Sequence, residues 1–294
     1  MTGSLENIQR RTKSAGELAL VVRTMKAMAI SNMTSFEMAV EALQDYYRSI
    51  SLGMYVSLRD QITSETVMHD QAGPVRHVAI VFGSDQGLVG PFNDTISLFS
   101  KKTLKAVPGR MESWAIGERT FFRLSESELF PTKLFTVPTS VSGITPLVNH
   151  ILTHIEEFRK SPNSGSIFVF HNSPLTGETY QPKSRRLFPI DEQWEQEVRQ
   201  LRWPTRNLPE TIGHPKETLR TLVREYLFVS LYKACAESLA SENASRLAAM
   251  TRAEKNIEEM LEVLQQNYNR MRQSMIDEEL FDVVAGFEAL KKKG

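Results

Sequence analysis

The chain has 294 residues, of which 41% are apolar and 24% charged, a mixture typical of a soluble globular protein and not of a disordered one. Its 35 basic residues balance its 35 acidic residues, so no overall positive field favours binding to nucleic acid or to an anionic membrane surface. The single cysteine excludes an intramolecular disulfide framework, no run approaches the ~18 apolar residues of a membrane span, and the first residues lack the apolar stretch of a signal peptide.

A long helix is predicted near the start of the chain. Residues Glu17 to Leu52 contain neither glycine nor proline and consist mainly of good helix formers. Apolar residues recur about every 3.5 positions, which is typical of a coiled-coil seam. The predicted seam positions are Leu18, Val22, Met25, Ala29, Phe36, Val40, Leu43, Tyr47, Ile50 and Met54, with polar Asn32 at one further position.

The middle of the chain alternates short β-branched runs with helical stretches. The predicted strands are residues 77–82, 112–117, 134–139 and 166–171, and the predicted helices are residues 94–107, 117–124 and 145–160. This alternation indicates a small, mostly parallel, Rossmann-like α/β sheet. A further strand over residues 179–190 is expected at an edge of the sheet, because Pro182 cannot donate a ladder hydrogen bond.

The second long helix is predicted at the end of the chain. Residues Lys216 to Ala285 again lack glycine and proline, and as one helix they would extend about 105 Å. Its predicted seam consists of Ile257, Leu261, Leu264, Tyr268, Met271 and Met275. A helix of this length is stable only if its seam is buried, so we expect it to pair antiparallel with the first helix.

These elements predict an α/β fold combined with a coiled coil. The long antiparallel N- and C-terminal helices would flank the small sheet. We divide the chain into a first coiled-coil helix over residues 1–72, an α/β domain over residues 73–190, a proline-containing linker over residues 191–215 and a second coiled-coil helix over residues 216–294.

The sequence offers little catalytic chemistry. The loop after the first strand has Gly83, Gly87 and Gly90, whose spacing departs from the G-x-G-x-x-G of dinucleotide-binding loops, and the chain has no G-x4-G-K-[S/T] motif. His150 and His154 lie four residues apart on one predicted helix, but two ligands do not make a metal site. Cys235 lies inside the last helix and is expected to be a structural thiol. We therefore predict no catalytic, cofactor-binding or metal site.

Four motifs resemble the gamma subunit of F-type ATP synthases. Residues 237–256, ESLASENASRLAAMTRAEKN, resemble that family's E-S-x-x-S-E-x-x-x-R-x-x-A-M-x-x-A-x-x-N. Residues 268–286 resemble its Y-N-x-x-R-Q-x-x-I-T-x-E-L-x-E-I-V-x-G, residues 23–31 its K-A-M-K-M-V-A-A-S, and residues 84–93 its S-D-R-G-L-C-G-G-F-N. The motifs follow the family's order from one end of the chain to the other.

The resemblance implies the central shaft of a rotary motor. In that family the terminal helices form an asymmetric coiled coil inside a ring of three alpha and three beta subunits, and the α/β domain lies near the epsilon subunit and the membrane ring of c subunits. The shaft has no catalytic site of its own. The partners implied are therefore the alpha, beta and epsilon subunits and the c-ring, with no nucleic acid and with membrane contact only through the complex.

The resemblance also assigns contacts with the alpha and beta ring. It places Met25 and Lys26 at this contact on the first helix, and Arg246, Arg272 and Gln273 on the second. The residues from Glu237 to Asn256 are expected to lie against the partner helix and the ring. Apolar residues near the end of the second helix, Phe281, Val283, Val284 and Phe287, are expected to turn in an apolar sleeve of the ring.

The chain departs from the family pattern at several positions. Val22 stands in place of threonine, Asn32 of lysine, Gln86 of arginine, Pro91 of glycine and Asp277 of threonine. These departures indicate a divergent, alternative bacterial branch. The coupling ion, proton or sodium, stays open, because the choice of ion resides in other subunits. The absence of a mitochondrial presequence favours the cytoplasmic face of a bacterial inner membrane.

Two other functions are alternatives to the rotor shaft. The first is a non-rotary coiled-coil scaffold whose α/β domain docks another partner through the same elements. The second is a nucleotide-binding enzyme that uses the loop from Gly83 to Gly90. Association with alpha, beta and epsilon subunits distinguishes the rotor from the scaffold, and nucleotide turnover by the isolated chain would favour the enzyme.

Overall fold

The computed structural model describes residues 2–59, 75–175, 178–190, 207 and 214–291. The helices are α1 (Thr2–Ala42), α2 (Gln44–Arg59), α3 (Phe92–Leu104), α4 (Glu118–Ser125), α5 (Ile144–Arg159) and α6 (Pro215–Lys291), with a 3-10 turn at Val141–Gly143. The strands are β1 (Arg76–Phe82), β2 (Arg110–Ile116), β3 (Pro131–Phe135), β4 (Ser164–Leu175) and β5 (Glu178–Phe188). Most of the predicted linker, residues 191–215, lies outside the described residues.

The strands form one sheet in the order β3-β2-β1-β4-β5. The pairs β1–β2, β1–β4 and β2–β3 are parallel, and β4–β5 is antiparallel. The mostly parallel sheet is therefore confirmed, and Pro182 lies in an edge strand as predicted. The strand predicted at residues 134–139 lies earlier in the chain, since β3 covers Pro131–Phe135.

Helices cover both faces of this sheet, which explains why β1 reads as a continuous apolar run. On one face Val78, Ile80 and Phe82 join a cluster with α5 and with buried residues of α2 and α6, such as Met54 and Tyr226. On the other face Ala79 and Val81 pack against residues of α3 and α4. The alternation of side chains along the strand assigns each residue to one of the two layers.

The chain divides into two compact units, residues 29–246 and residues 1–28 with 247–294. The larger unit contains the sheet, its covering helices and the first part of α6. The described part of the smaller unit contains the start of α1 and the end of α6. Among the described residues, no helix has an apolar stretch long enough to cross a membrane.

In the smaller unit the two helices run antiparallel. Gln9 Nε2 donates to Tyr268 Oη at 3.1 Å, while Arg23 contacts Glu254, so rising residue numbers on α1 meet falling ones on α6. The predicted seam of α6 is confirmed in its first half, since Ile257 and Leu264 are buried and Leu261 packs beside them. Its second half, Tyr268, Met271 and Met275, is only half-buried.

The predicted seam of the first long helix differs from the structure in two respects. The helix is interrupted at Leu43, between α1 and α2, and the second half of the seam, with Phe36 and Met54, joins the core of the larger unit.

In the first half of this seam, the prediction is wrong at Leu18. Leu18 is 53% exposed, and the buried positions are Ala15, Ala19 and Val22. These residues keep the spacing of about 3.5, but small alanines occupy the seam where the leucine was expected. The small alanines of α1 leave room in the seam for the larger Met250, Ile257 and Leu264 of α6, whereas Leu18 lies outside it.

Candidate functional site

The five predicted contact residues do not form one cluster. Met25 and Lys26 lie on α1, and Arg272 and Gln273 lie on α6 in the same unit. Lys26 is level with Glu254 on α6, 18 residues before Arg272, so the two pairs are separated by about 27 Å of helix. Arg246 belongs to the other unit. The candidate surface is therefore a set of separate positions and not a single pocket.

Lys26 takes part in a group of four charged residues between the paired helices. Its Nζ lies 2.6 Å from Glu254 Oε2, and Arg23 Nε lies 2.8 Å from Glu254 Oε1. Arg23 also reaches Glu258 Oε1 at 3.1 Å. Hydrogen bonds from Lys26 and then Arg23 lower the pKa of Glu254, so its carboxylate stays charged. Sequence reasoning did not identify Arg23, Glu254 and Glu258 as partners, although opposite charges beside a seam are a usual sign of interhelical ion pairs.

Met25 lies beside the same seam. Its side chain is half-buried and packs against the apolar cluster that includes Val22, Met250 and Ile257. A methionine adapts its shape to irregular neighbours because its side chain is unbranched and flexible. Met25 therefore contributes to the packing of the helix pair, and part of its side chain remains exposed to solvent.

Arg246 is largely enclosed by its own helix. Its Nη2 lies 2.6 Å from Glu242 Oε1, its Nη1 donates to Asn243 Oδ1 at 3.3 Å, and 13% of the side chain is exposed. Burial raises the pKa of Glu242, and the Arg246 charge acts in the opposite direction. The guanidinium thus neutralises a buried carboxylate, a role that the motif alone did not indicate.

Arg272 and Gln273 are exposed, and neither has a hydrogen bond or ion pair with another side chain in the described part of the chain. The same end of α6 carries exposed apolar residues at helical spacing, namely Ile276, Leu280, Phe281, Val283 and Val284. An apolar surface of this kind commonly marks an interface. The side chain of Phe287, predicted to belong to this surface, lies outside those that the structure describes.

The first half of the stretch Glu237–Asn256 does not lie where it was expected. Ser238, Ser241, Glu242 and Ser245 are all buried within the larger unit. Ser241 Oγ donates to the carbonyl of Asn172 in β4, and Ser245 Oγ donates to the carbonyl of Val89 after β1. These residues contact the sheet because short hydroxyl side chains at this helix face can reach its backbone carbonyls.

This contact occupies the place where open α/β sheets usually bind ligands. That place is the crevice at the carboxyl ends of the strands where the strand order reverses, which here lies between β1 and β4. Ser241 of α6 bonds to the β4 side and Ser245 to the β1 side of the crevice. The helix therefore stands where a nucleotide would bind in a dinucleotide-binding protein.

The polar groups of the loop after β1 also form hydrogen bonds within the protein. The Ser84 amide donates to Asn93 Oδ1 at 3.0 Å, and Asp85 accepts hydrogen bonds from the amides of Glu118 and Val137, each at 2.9 Å. A Cβ atom on Gly83 would lie 1.5 Å from Thr120 Oγ1, so this glycine permits close packing within the protein. The geometry does not support a phosphate cradle.

The contacts of the histidine pair and of the cysteine indicate that these residues have structural roles. The rings of His150 and His154 lie 5.0 Å apart, and both pack on Phe135. His154 Nδ1 lies 3.2 Å from Lys133 Nζ and 3.0 Å from a Glu157 oxygen. Within the described ranges, no three histidine, cysteine or acidic residues are arranged to hold a metal. Burial raises the pKa of Cys235, which makes its thiol unreactive.

Comparison with known proteins identifies the family. A family model described as ATP synthase matches residues 4–290. The ATP synthase gamma chain of Ruminococcus albus is 27% identical over 290 residues, which cover 95% of this chain and 96% of that relative. The gamma chain of Nautilia profundicola is 27% identical over 305 residues, which cover 98% of this chain and 99% of that relative.

Solved structures share the fold. A chain in the Euglena gracilis mitochondrial ATP synthase, OSCP/F1/c-ring in rotational state 3, matches with a TM-score of 0.62 and 12% identity over 99% of this chain and 95% of its own. A chain in the central stalk/c-ring structure of the Tetrahymena thermophila mitochondrial enzyme matches with a TM-score of 0.54 and 18% identity over 79% of this chain and 99% of its own. With the family model matching almost every residue, the chain belongs to the ATP synthase family, as a relative of its gamma chains.

Proposed function

We propose that this chain is the central rotor shaft, the gamma subunit, of a rotary F-type ATP synthase, and that it couples transmembrane ion flow to ATP synthesis or hydrolysis at the beta subunits. The observation that carries the proposal is the antiparallel helix pair, with Ala15 and Ala19 on the α1 side of its seam, in a chain matched along its length by the family. A close-packed pair suits an axle that turns inside a ring.

The shaft requires no catalytic side chain of its own. Three chemically equivalent beta subunits around an asymmetric shaft meet different faces of it and therefore bind it with different free energies. Such a difference shifts each site between conformations, and a turn of the shaft moves the preference to the next site. The chain is thus a non-catalytic subunit that acts through differential contact.

We assign the contacts with the alpha and beta ring to Met25, Lys26, Arg246, Arg272 and Gln273. Arg272 and Gln273 are the strongest members of this set, since their side chains are exposed and have no partner among the described side chains. A planar guanidinium and an amide can hold a carboxylate or carbonyl at one angle and release it at another. The neighbouring apolar residues of α6 would turn in an apolar sleeve, where contacts are non-directional.

The proposed partners are three alpha and three beta subunits, the epsilon subunit and the c-ring. The α/β domain is the part assigned to the epsilon subunit and the c-ring. We place the complex at the cytoplasmic face of a bacterial inner membrane, with this chain touching the membrane only through its partners.

Purification of the complex tests this function. The chain should co-purify with alpha, beta and epsilon subunits in a complex that hydrolyses ATP, whereas the isolated chain should hydrolyse none. A stable assembly with other proteins and without these subunits would support the scaffold. Turnover of ATP by the isolated chain would support an enzyme.

Arg272→Ala combined with Gln273→Ala should slow coupled turnover of the assembled complex by at least about tenfold, because even one lost charge-assisted hydrogen bond is worth about 1.5–3 kcal/mol and about 1.4 kcal/mol corresponds to a tenfold change in rate. Assembly should survive, since neither side chain holds another described residue. The measurement is the rate of ATP synthesis driven by an imposed ion gradient.

Arg270→Ala combined with Asn267→Ala is the matched control. These residues are also exposed and lie in the same helix, but the family motif assigns them no contact with the ring, so their removal should leave the rate within about twofold of the wild type. Unchanged synthesis in the Arg272 and Gln273 variant, or an equal loss in both variants, would remove the assignment of these contacts.

A further inference from the structure

The segment of α6 from Glu237 to Ser245 presents a polar but buried face. Ser238, Ser241, Glu242 and Ser245 follow the spacing i, i+3, i+4 and i+7, which places them on one side of the helix. Their exposed fractions are 2%, 0%, 6% and 5%. A helix face that is both polar and buried requires specific hydrogen-bonding partners.

Two of these side chains have partners on opposite sides of the crevice, one in strand β4 and one in the loop that follows β1. Ser241 Oγ donates to Asn172 O at 3.1 Å, and Ser245 Oγ donates to Val89 O at 2.6 Å. Asn172 lies in β4, and Val89 lies in the loop that follows β1. The side chain of Asn172 in turn donates to Phe92 O at 3.0 Å, which joins the two sides of the crevice. The helix is therefore bonded on both sides of the strand reversal.

A hydrogen bond between His171 and Glu237 adds a third attachment beside these hydroxyls. His171 Nε2 lies 2.8 Å from Glu237 Oε2, and the two side chains are 10% and 12% exposed. Burial alone would raise the pKa of Glu237, but the hydrogen bond and charge of His171 and the charge of Lys233 outweigh it and lower the pKa to about 2. The carboxylate is therefore ionised at neutral pH and can accept a hydrogen bond from the His171 ring on β4.

These bonds resist rotation of the helix about its own axis. A hydrogen bond weakens steeply when its distance or angle departs from the optimum, whereas apolar contacts slide with little directional preference. Serine side chains are short, so a small rotation of α6 moves both hydroxyls out of reach of the two carbonyls. The seam of the smaller unit consists of alanine, valine, methionine, isoleucine and leucine, and among the described residues no side chain bonds across it to a backbone carbonyl of the other helix.

We propose that Glu237, Ser241 and Ser245 are positioning residues that lock α6 to the sheet and carry torque from the α/β domain into the helix. This role rests on the proposed rotor function. This positioning role accounts for the presence of buried serines and a largely buried glutamate in this segment of α6. Because α6 is one continuous helix to Lys291, rotation imposed at this segment is transmitted along it.

The test uses the complete complex in sealed vesicles, with Ser241→Ala combined with Ser245→Ala. ATP hydrolysis with the ion gradient dissipated should stay within about twofold of the wild type, because the shaft then meets no opposing torque. Ions pumped per ATP hydrolysed should fall by at least about threefold, as expected for the loss of two net hydrogen bonds. This split between hydrolysis and pumping is a result that simple destabilisation would not produce.

Ser35→Ala combined with Ser49→Ala is the matched control. Each of these serines donates to the carbonyl four residues earlier in its own helix, so the same atoms are removed without detaching α6 from the sheet. The control complex should pump as many ions per ATP as the wild type. If the double variant of Ser241 and Ser245 fails to assemble, Ser245→Ala alone is compared in the same way.

Two results would overturn the torque-transmitting role. One is an unchanged number of ions pumped per ATP, and the other is a proportional loss of hydrolysis and pumping, which would indicate a role in folding alone. Failure of the rotor function itself would be distinguishable, because the wild-type chain would then form no complex that couples hydrolysis to ion movement.

Discussion

Replacing Arg246 with alanine is expected to lower the unfolding free energy of the full chain by about 3 kcal/mol at neutral pH, because the change leaves a buried carboxylate without its cation. Glu242 is 6% exposed, its Oε1 lies 2.6 Å from the guanidinium, and its Oε2 has no hydrogen-bond partner among the described residues. Urea unfolding of the full chain, followed by tryptophan fluorescence, measures the loss.

The loss should depend on pH. Burial already raises the pKa of Glu242, and removal of Arg246 removes the favourable charge and hydrogen bond that oppose this shift. A carboxyl whose pKa is higher in the folded than in the unfolded state destabilises the protein increasingly as pH rises between those two values. The deficit of Arg246→Ala should therefore be largest near pH 8 and shrink as pH falls towards about 4.3, the ordinary pKa of glutamate.

The double change Arg246→Ala with Glu242→Gln is the control, since it removes the buried charge together with its partner. It should recover part of the lost stability at pH 8 and show little of the pH dependence. Wild-type stability for Arg246→Ala at both ends of the pH range would contradict the structural role. If coupled turnover then also fell, Arg246 would act through the ring alone.

Gly117→Val should be the most disruptive single change at the carboxyl edge of the sheet, with a loss of about 4 kcal/mol or more from backbone strain and overpacking together. Gly117 has φ 108°, a region that a β-branched residue rarely adopts. Its Cβ would lie 2.6 Å from the Ser84 carbonyl oxygen, and this backbone atom cannot give way as a flexible side chain could. Thermal unfolding and the yield of assembled complex report the change.

Gly16→Ala is the matched control for adding a side chain at a glycine. This residue lies in α1, and no heavy atom lies within 4 Å of the Cβ position. Alanine there should raise stability by about 0.5–1 kcal/mol through helix propensity. Equal and small effects of the two substitutions would contradict the close contact between Gly117 and the Ser84 backbone.

The secondary structure could be predicted because its signals are local. The absence of glycine and proline from Lys216 to Ala285 and the alternating apolar runs of the middle are properties of neighbouring residues. Leu18 was misplaced because the choice of residues that face a partner helix is a tertiary property. A leucine is the usual seam residue, and only the alanines at positions 15 and 19, considered together, would have indicated a seam that excludes it.

The polar contacts could not be predicted for a related reason. The bond from Arg23 to Glu254 depends on the register between two distant segments, and neither segment encodes it alone. The serines at positions 241 and 245 resemble surface residues in the sequence, because their partners are backbone carbonyls that any residue could supply. Exposed Arg272 and Gln273 could be found only through their motif.

Direct observation of rotation tests the central claim. A cysteine introduced by Leu98→Cys, at a position that is 68% exposed, would carry a visible probe, and buried Cys235 would not compete for the label. In a complex fixed through its beta subunits, we predict that ATP makes the probe turn in one direction, with three steps in each turn for the three beta subunits. A probe that stays fixed relative to the ring while the complex hydrolyses ATP would contradict the rotor function.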